Sequence, residues 1–301
     1  MRDGHNQRVL VRPGGLRGSA AADLTALWRR RDLVTSLVMR ELRGRYKGSI
    51  LGVGWSLISP IVTLLIYTLV VGQFLGASRS IPEFGLFLFP GLIVWNFFNE
   101  VASRGALCLT ENAGLLKKVW FPREVLPLSI TVSAVVNAGF QFVALVLGYA
   151  LLWDWPQASQ LAYLIPMLAI LLPLSTATAL LMAVFNARFR DIQYLLTIGL
   201  FVGFFITPIL YSWSFVEEVF RGWPGGELLW QAYLLNPMAL VVMCAQQGLW
   251  PPAGGTGYQN LLYLDSPWAT RLWFTAVASW LLLYAMQRLF SRTNAAVVAD
   301  L

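Results

Sequence analysis

Charge is what this sequence has least of. Asp, Glu, Lys and Arg make up 12% of its 301 residues, against about 25% in an ordinary soluble domain. Hydrophobic residues make up 57%. A water-soluble fold of this length would lack the polar surface to cover itself, so the bilayer is the expected solvent. Metal-binding groups are scarce too. The single histidine is His5, and Cys108 and Cys244 have neither a CxxC partner nor ligand spacing. A zinc site and a disulfide framework are therefore not expected. No GxxxxGK[ST] occurs, and "YKGS" has its Lys and Gly in the wrong order, so no P-loop is read on this chain. The acidic residues are scattered, with Glu217-Glu218 the one adjacent pair. That disfavours a membrane glycosyltransferase, which needs clustered carboxylates. Residues 1–22 lack an apolar h-region and read as a flexible cytoplasmic tail, not a secretory signal.

What the sequence does have is charge-free runs: 48–78, 84–99, 125–153, 155–187, 192–216 and 272–287. A membrane-spanning helix needs about 20 largely apolar residues. The runs predict six spans at approximately 51–76, 85–108, 125–152, 160–187, 192–213 and 270–290. A further run, 228–264, is broken by Asn236-Pro237 and interrupted by Gln231, Gln246 and Gln247. Proline disfavours helix before it, and irregular backbone at membrane depth survives only inside protein or beside water. The run is therefore read as a re-entrant or interfacial helical hairpin. With a cytoplasmic N-terminus, six spans put 19 of the 22 Lys and Arg inside and leave Arg79, Arg221 and Arg271 outside, which suits the positive-inside rule. This distribution also answers the net charge of +7: it follows the membrane, and no nucleic-acid partner is expected. Trp153, Trp155, Tyr211, Trp213, Trp268 and Trp273 stand near the expected span ends, at headgroup level. The expected fold is an all-α polytopic membrane protein: a 48–290 transmembrane domain with both termini cytoplasmic, 291–301 being a second tail.

Before the first span, residues 23–47 form an amphipathic pattern. Val34, Leu37, Val38 and Leu42 share one face, Asp32 is placed as the N-cap, and Arg30, Arg31, Arg40, Arg43 and Arg45 supply a cationic rim. Gly44 and Gly48 are placed as the bend into the bilayer. The arginines have two readings. They fix the topology, or Arg40, Arg43, Arg45 and Lys47 form a cytoplasmic gate that attracts a lipid phosphate. A second short amphipathic helix is expected on the inner loop 109–124, and it needs a surface to pack on, either lipid or a soluble partner.

The order of these pieces carries a family resemblance. "RYKGSILGVGWSLISP", two spans and then "NAGLLKKVWFPREVLPLS" resemble the membrane subunit of ABC-2-type exporters of polysaccharides or polyol-phosphate polymers, over residues ~24–290. The resemblance implies a homodimeric permease in a bacterial cytoplasmic (inner) membrane, not itself an enzyme. Two copies of a separate ABC ATPase would handle ATP and Mg, with no cofactor on this chain. The substrate would be a lipid-linked glycan of O-antigen, capsule, teichoic acid or cell-wall galactan type. A permease for a small lipid or drug is the alternative. The resemblance further implies that Glu111, Asn112, Leu115, Leu116, Lys117, Lys118, Phe121, Pro122 and Arg123 couple to the ATPase, and that 214–250 forms re-entrant outer helices that shape the exit. A glycan path should be mixed aromatic and polar, which points to Tyr67, Trp95, Asn99, Glu100, Asn137, Gln141, Phe204 and Tyr211; Asn96 and Phe98 are further candidates. Polar groups at membrane depth usually face protein or water. Glu100 and Arg104, four residues apart on one helix, are placed to pair.

Overall fold

The computed structural model describes residues 31–46, 48–118, 123–189, 191–251 and 267–300. The tail 1–22, the beginning of the basic segment, and Lys47, Phe121 and Pro122 lie outside them. The described residues are helical with no strand.

The basic helix α1 is Arg31–Tyr46. Asp32 lies within its first turn, and the Asp32 carbonyl accepts from Ser36 Oγ at 2.7 Å. Of the two glycines expected at the bend, only Gly48 takes part. Gly44 is helical, and the chain turns at Gly48 (φ 81°), a left-handed conformation that glycine adopts without a Cβ penalty. α2 is Trp55–Tyr67 and continues as a π-helical stretch, Thr68–Phe74. α3 is Phe84–Glu111, and Ala113–Lys118 forms a short α4. α5 is Val125–Leu152. A 3-10 turn, Gln160–Tyr163, leads into α6, Leu164–Arg188. Four of these stretches are long and apolar enough to cross a membrane: Trp55–Phe74, Phe84–Glu111, Val125–Leu152 and Gln160–Arg188.

The later elements depart from the expected spans. α7, Ile192–Ile206, has 15 residues and reaches about 22 Å, short of a hydrocarbon core of about 30 Å. It stops early because Pro208 forces Thr207 out of the helical region, to ψ 138°. α8 (Trp213–Arg221) and α9 (Gly226–Tyr233) follow, then α10 (Pro237–Leu249). α9 and α10 meet at 78° across Asn236, whose side chain caps α10 through Met238 N at 3.0 Å. The last helix, α11, is Pro267–Asp300. Residues 291–300 thus continue a helix and are not a separate tail, since "SRTNAAVVAD" contains neither Gly nor Pro to stop it.

α3 is the axis of the molecule. Every residue from Phe84 to Trp95 is buried, against α5, α6, α7 and α10. Two hydrophobic clusters divide the length. The upper one joins the start of α3 to the end of α5, the start of α6 and nearly all of α10. The lower one gathers Leu37 of α1, Cys108 and Leu109 of α3, Leu116 of α4, Val125 and Ile130 of α5, Leu180 of α6 and Phe290 of α11. Cys108 and Cys244 are both free and buried, one in each cluster. The outside is as apolar as the inside. α2 buries no side chain in its helical part, α7 buries only Leu200, and Ile66, Leu69, Ile198, Phe201, Phe274 and Leu281 are all exposed. Such a surface needs lipid or another apolar partner.

Candidate functional site: a polar seam with a charged lower end

Polar side chains are rare on the spans, and several of them line up. On α3, Asn96, Asn99, Glu100 and Ser103 recur at three- and four-residue spacing, so they share one face. Asn137 and Gln141, four apart on α5, stand opposite. Asn96 Nδ2 donates to Gln141 Oε1 at 3.0 Å. Asn137 Nδ2 donates to both Glu100 oxygens, at 3.1 and 2.8 Å. Ser103 Oγ donates to Asn99 Oδ1 at 3.0 Å. None of these six residues is buried, and Asn96 is exposed. They form a seam between α3 and α5, flanked by α2 against α5 and α7 against α3.

The seam ends below in a charged knot. Glu100 is paired with Arg45 of α1 and, at 3.5 Å, with Arg104 one turn on. Arg104 also pairs with Glu41 of α1. Arg40 Nη2 donates to Asn112 Oδ1 at 2.7 Å, and Asn112 Nδ2 donates to the Cys108 carbonyl at 2.9 Å. So α1 is held on α3 by two ion pairs and a hydrogen bond, above the apolar contact of Leu37 and Val38. Of the arginines assigned to a phosphate gate, Arg40 and Arg45 are thus engaged within the chain. Arg43 is exposed and makes no ion pair with a described residue.

The aromatic candidates behave differently from the amides. Trp95 is 5% exposed and packs against Phe98, Phe204 and the backbone of Gly203. It fills the α3–α7 interface within the chain. Phe204 is half-buried in the same contact, and Tyr67 is half-buried against the upper cluster. The Tyr211 hydroxyl donates to the Phe205 and Ile206 carbonyls at 2.8 and 3.0 Å, satisfying the end of α7.

Among the expected coupling residues, Glu111 ends α3 and is exposed, and Asn112 caps it. Leu115 is half-buried. Leu116 is buried in the lower cluster. Lys117 and Lys118 close α4, and Phe121 and Pro122 lie outside the described residues. Burial lowers the Arg123 guanidinium below its ordinary value, and Glu124 opposes that shift.

Two glutamines and one tyrosine outside the expected set hold the irregular backbone, and a third glutamine ties α9 to α11 through side chains. Gln246 Nε2 donates to the Pro208 carbonyl at 2.9 Å, where α7 has ended. Gln160 Nε2 donates to Gln247 O and Trp250 O at 3.2 and 3.0 Å. The Tyr149 hydroxyl donates to the Leu249 carbonyl, and Gln231 accepts from Arg271 of α11. The signal for them in the sequence is an amide standing in a charge-free run.

The chain resembles bacterial export permeases over most of its length. It is 33% identical to the O-antigen export system permease protein RfbA of Myxococcus xanthus over 266 residues, 88% of this chain and 93% of that one. It is 28% identical to the RfbA protein of Klebsiella pneumoniae over 237 residues, covering 77% and 86% respectively. Against the polysialic acid transport protein KpsM of Escherichia coli the identity is 24% over 222 residues, 72% and 81% of the two chains. The ABC-2 type transporter family matches residues 32–244, from the start of α1 into α10, and with these relatives and its apolar helices this chain is a multi-pass membrane protein belonging to that family.

Proposed function

We propose that this chain is the channel-forming subunit of an ATP-driven exporter. It moves a lipid-linked polysaccharide from the cytoplasmic to the outer side of a bacterial inner membrane. The observation that carries this reading is the seam from Asn96 to Glu100 and Asn137. It is a row of amides with one carboxylate and one hydroxyl, not buried within the chain, on a body whose surface is largely apolar. Hydroxyl-rich glycans suit such a lining, and lipid does not. The names of the relatives supply the substrate class.

In this reading two copies face each other across their seams. α2 and α7, which bury almost nothing within one chain, close the sides. Six spans are counted by letting α7 cross together with the backbone that follows it, and by letting α9 and α10 dip and return. Two contacts support the dip. Asn236 lies 3.4 Å from Thr207 at the end of α7, while Trp250 bonds Pro82 at the upper end. Both termini are then cytoplasmic. A separate ABC ATPase, two copies per dimer, docks below on the loop between α3 and α5, with Glu111 and Asn112 at its exposed edge.

The test is to plug the seam. Asn99→Trp with Gln141→Trp is expected to stop export and trap lipid-linked glycan inside, with dimer and ATPase still co-purifying. Normal export by this variant would sink the channel assignment. Separately, Glu111→Arg is expected to weaken ATPase retention on a pull-down about tenfold, the size of one charge-assisted contact. Unchanged retention would remove Glu111 from the docking surface.

A further inference from the structure

A second opening in the molecule lies away from the seam. A cavity of about 630 Å³ runs between α9, the start of α10, the upper half of α11 and Leu174 of α6. That size suits a small ligand, or part of a larger one. Its walls are apolar: Leu228, Leu234, Phe274, Ala278 and Leu282 among them. Leu228, Leu235 and Phe274 are 76%, 80% and 75% exposed, so the groove opens sideways onto the surface that the bilayer must cover. Its polar corner is Arg271, one turn into α11. This guanidinium donates to Gln231 Oε1, and the other end of the same amide donates to Glu227. Arg271 makes no ion pair among the described residues, and a guanidinium has five N–H donors to offer.

An apolar trough with a cation at one end matches the two halves of a lipid. Arginine recognises phosphate well because two of its N–H groups lie parallel. A zwitterionic headgroup would bring its own cation to Arg271, and an anionic one would not. We propose that this groove is a binding site for an anionic phospholipid, with one acyl chain against Leu228, Phe274 and Leu282 and the phosphate on Arg271. The site belongs to the leaflet at the N-terminal end of α11. It needs only that the chain sits in a membrane, and stands whether or not the seam carries glycan.

The test uses the whole chain purified in detergent, titrated with phosphatidylglycerol or with phosphatidylcholine of the same chains. Native mass spectrometry reads lipid adducts and oligomer together. The wild type is expected to retain phosphatidylglycerol preferentially. Arg271→Gln is expected to weaken that binding roughly tenfold, the size of one charge-assisted hydrogen bond. Arg271→Lys should keep the preference, which separates loss of charge from loss of fold, and Ala278→Trp, filling the groove, should weaken both lipids alike. Equal retention of the two lipids by the wild type overturns the proposal, as does an unchanged preference in Arg271→Gln. If Ala278→Trp breaks a dimer and leaves lipid adducts intact, the groove is filled by a second copy instead.

Discussion

Glu100 takes charge from two helices at once, Arg45 of α1 and Arg104 of its own α3, while Asn137 of α5 donates to both of its oxygens. The group is half-buried at the lower end of an apolar bundle, where water screens it only partly. Replacing the carboxylate with an amide removes the charge that both arginines answer. Glu100→Gln is therefore expected to cost about 1–2 kcal/mol, the range for a charged hydrogen bond at a partly exposed site. It should also loosen α1, and protease sensitivity near Tyr46 together with thermal unfolding in detergent would show it. In a double-mutant cycle, Glu100→Gln with Arg45→Gln should cost less than the sum of the two single changes; strict additivity would mean that the Arg45–Glu100 pair does not hold α1, leaving it to Glu41–Arg104, Arg40–Asn112 and the apolar contact. Only part of this knot was legible in the sequence. The Glu100–Arg104 pair follows from helical spacing. Arg45 and Asn137 are 55 and 37 residues away from Glu100, and no local period links them. The same limit explains Trp95. An aromatic residue on a span reads alike whether it faces a channel or fills an interface, and the glycine that makes room for it, Gly203, sits on another helix.

Two helices follow the ends of their charge-free runs closely. α5 and α6 are delimited in that way, by Glu124 before one and Arg188 after the other. The misplaced boundaries have local causes that were present in the sequence. "FFITPIL" contains the proline that stops α7 at Ile206, and the absence of any breaker beyond Arg288 lets α11 run on. How helices approach one another was not legible. Gly105 of α3 faces Ala179 of α6, and a Cβ placed on it would lie 2.4 Å from the Ala179 Cβ and 2.8 Å from its Cα. One of those atoms is backbone, so the two helices must separate. Gly105→Ala is expected to destabilise by about 1–3 kcal/mol, the usual cost of overpacking, although alanine is the better helix former. Gly114 of α4 is the matched control: nothing lies within 4 Å of its added Cβ, so Gly114→Ala should be neutral or stabilise by up to about 1 kcal/mol. Thermal unfolding of both variants separates packing from propensity. Equal shifts would mean that α3 and α6 are not in close contact.

At the scale of the whole molecule, a single chain leaves a polar strip and two apolar helices without partners. Lipid satisfies α2 and α7 but not the strip, because an amide facing hydrocarbon forfeits its hydrogen bonds to water. A second copy satisfies both demands when the strips face each other. The two chains then enclose a wet path, and α2 and α7 bury their outer faces against the opposite subunit or line its edge. This arrangement places the two copies of Asn99 across the path from each other. Cys108 and Cys244 are 1% and 2% exposed, so they are shielded from a polar reagent and a new cysteine in the path is the reactive one. Asn99→Cys treated with a water-soluble bifunctional thiol reagent is expected to give a cross-linked dimer and to lose export. Val135→Cys, on an exposed apolar position of α5 two residues from Asn137 and so on another face of the helix, should cross-link far less, since the reagent does not enter lipid. Reversible cross-linkers sharpen the reading: export should return when the link is cut, because the bridge and not the substitution blocks the path. A strip that faced lipid would give no Asn99 cross-link at any reagent length, and the seam would then be an internal polar contact of one chain instead of half a channel.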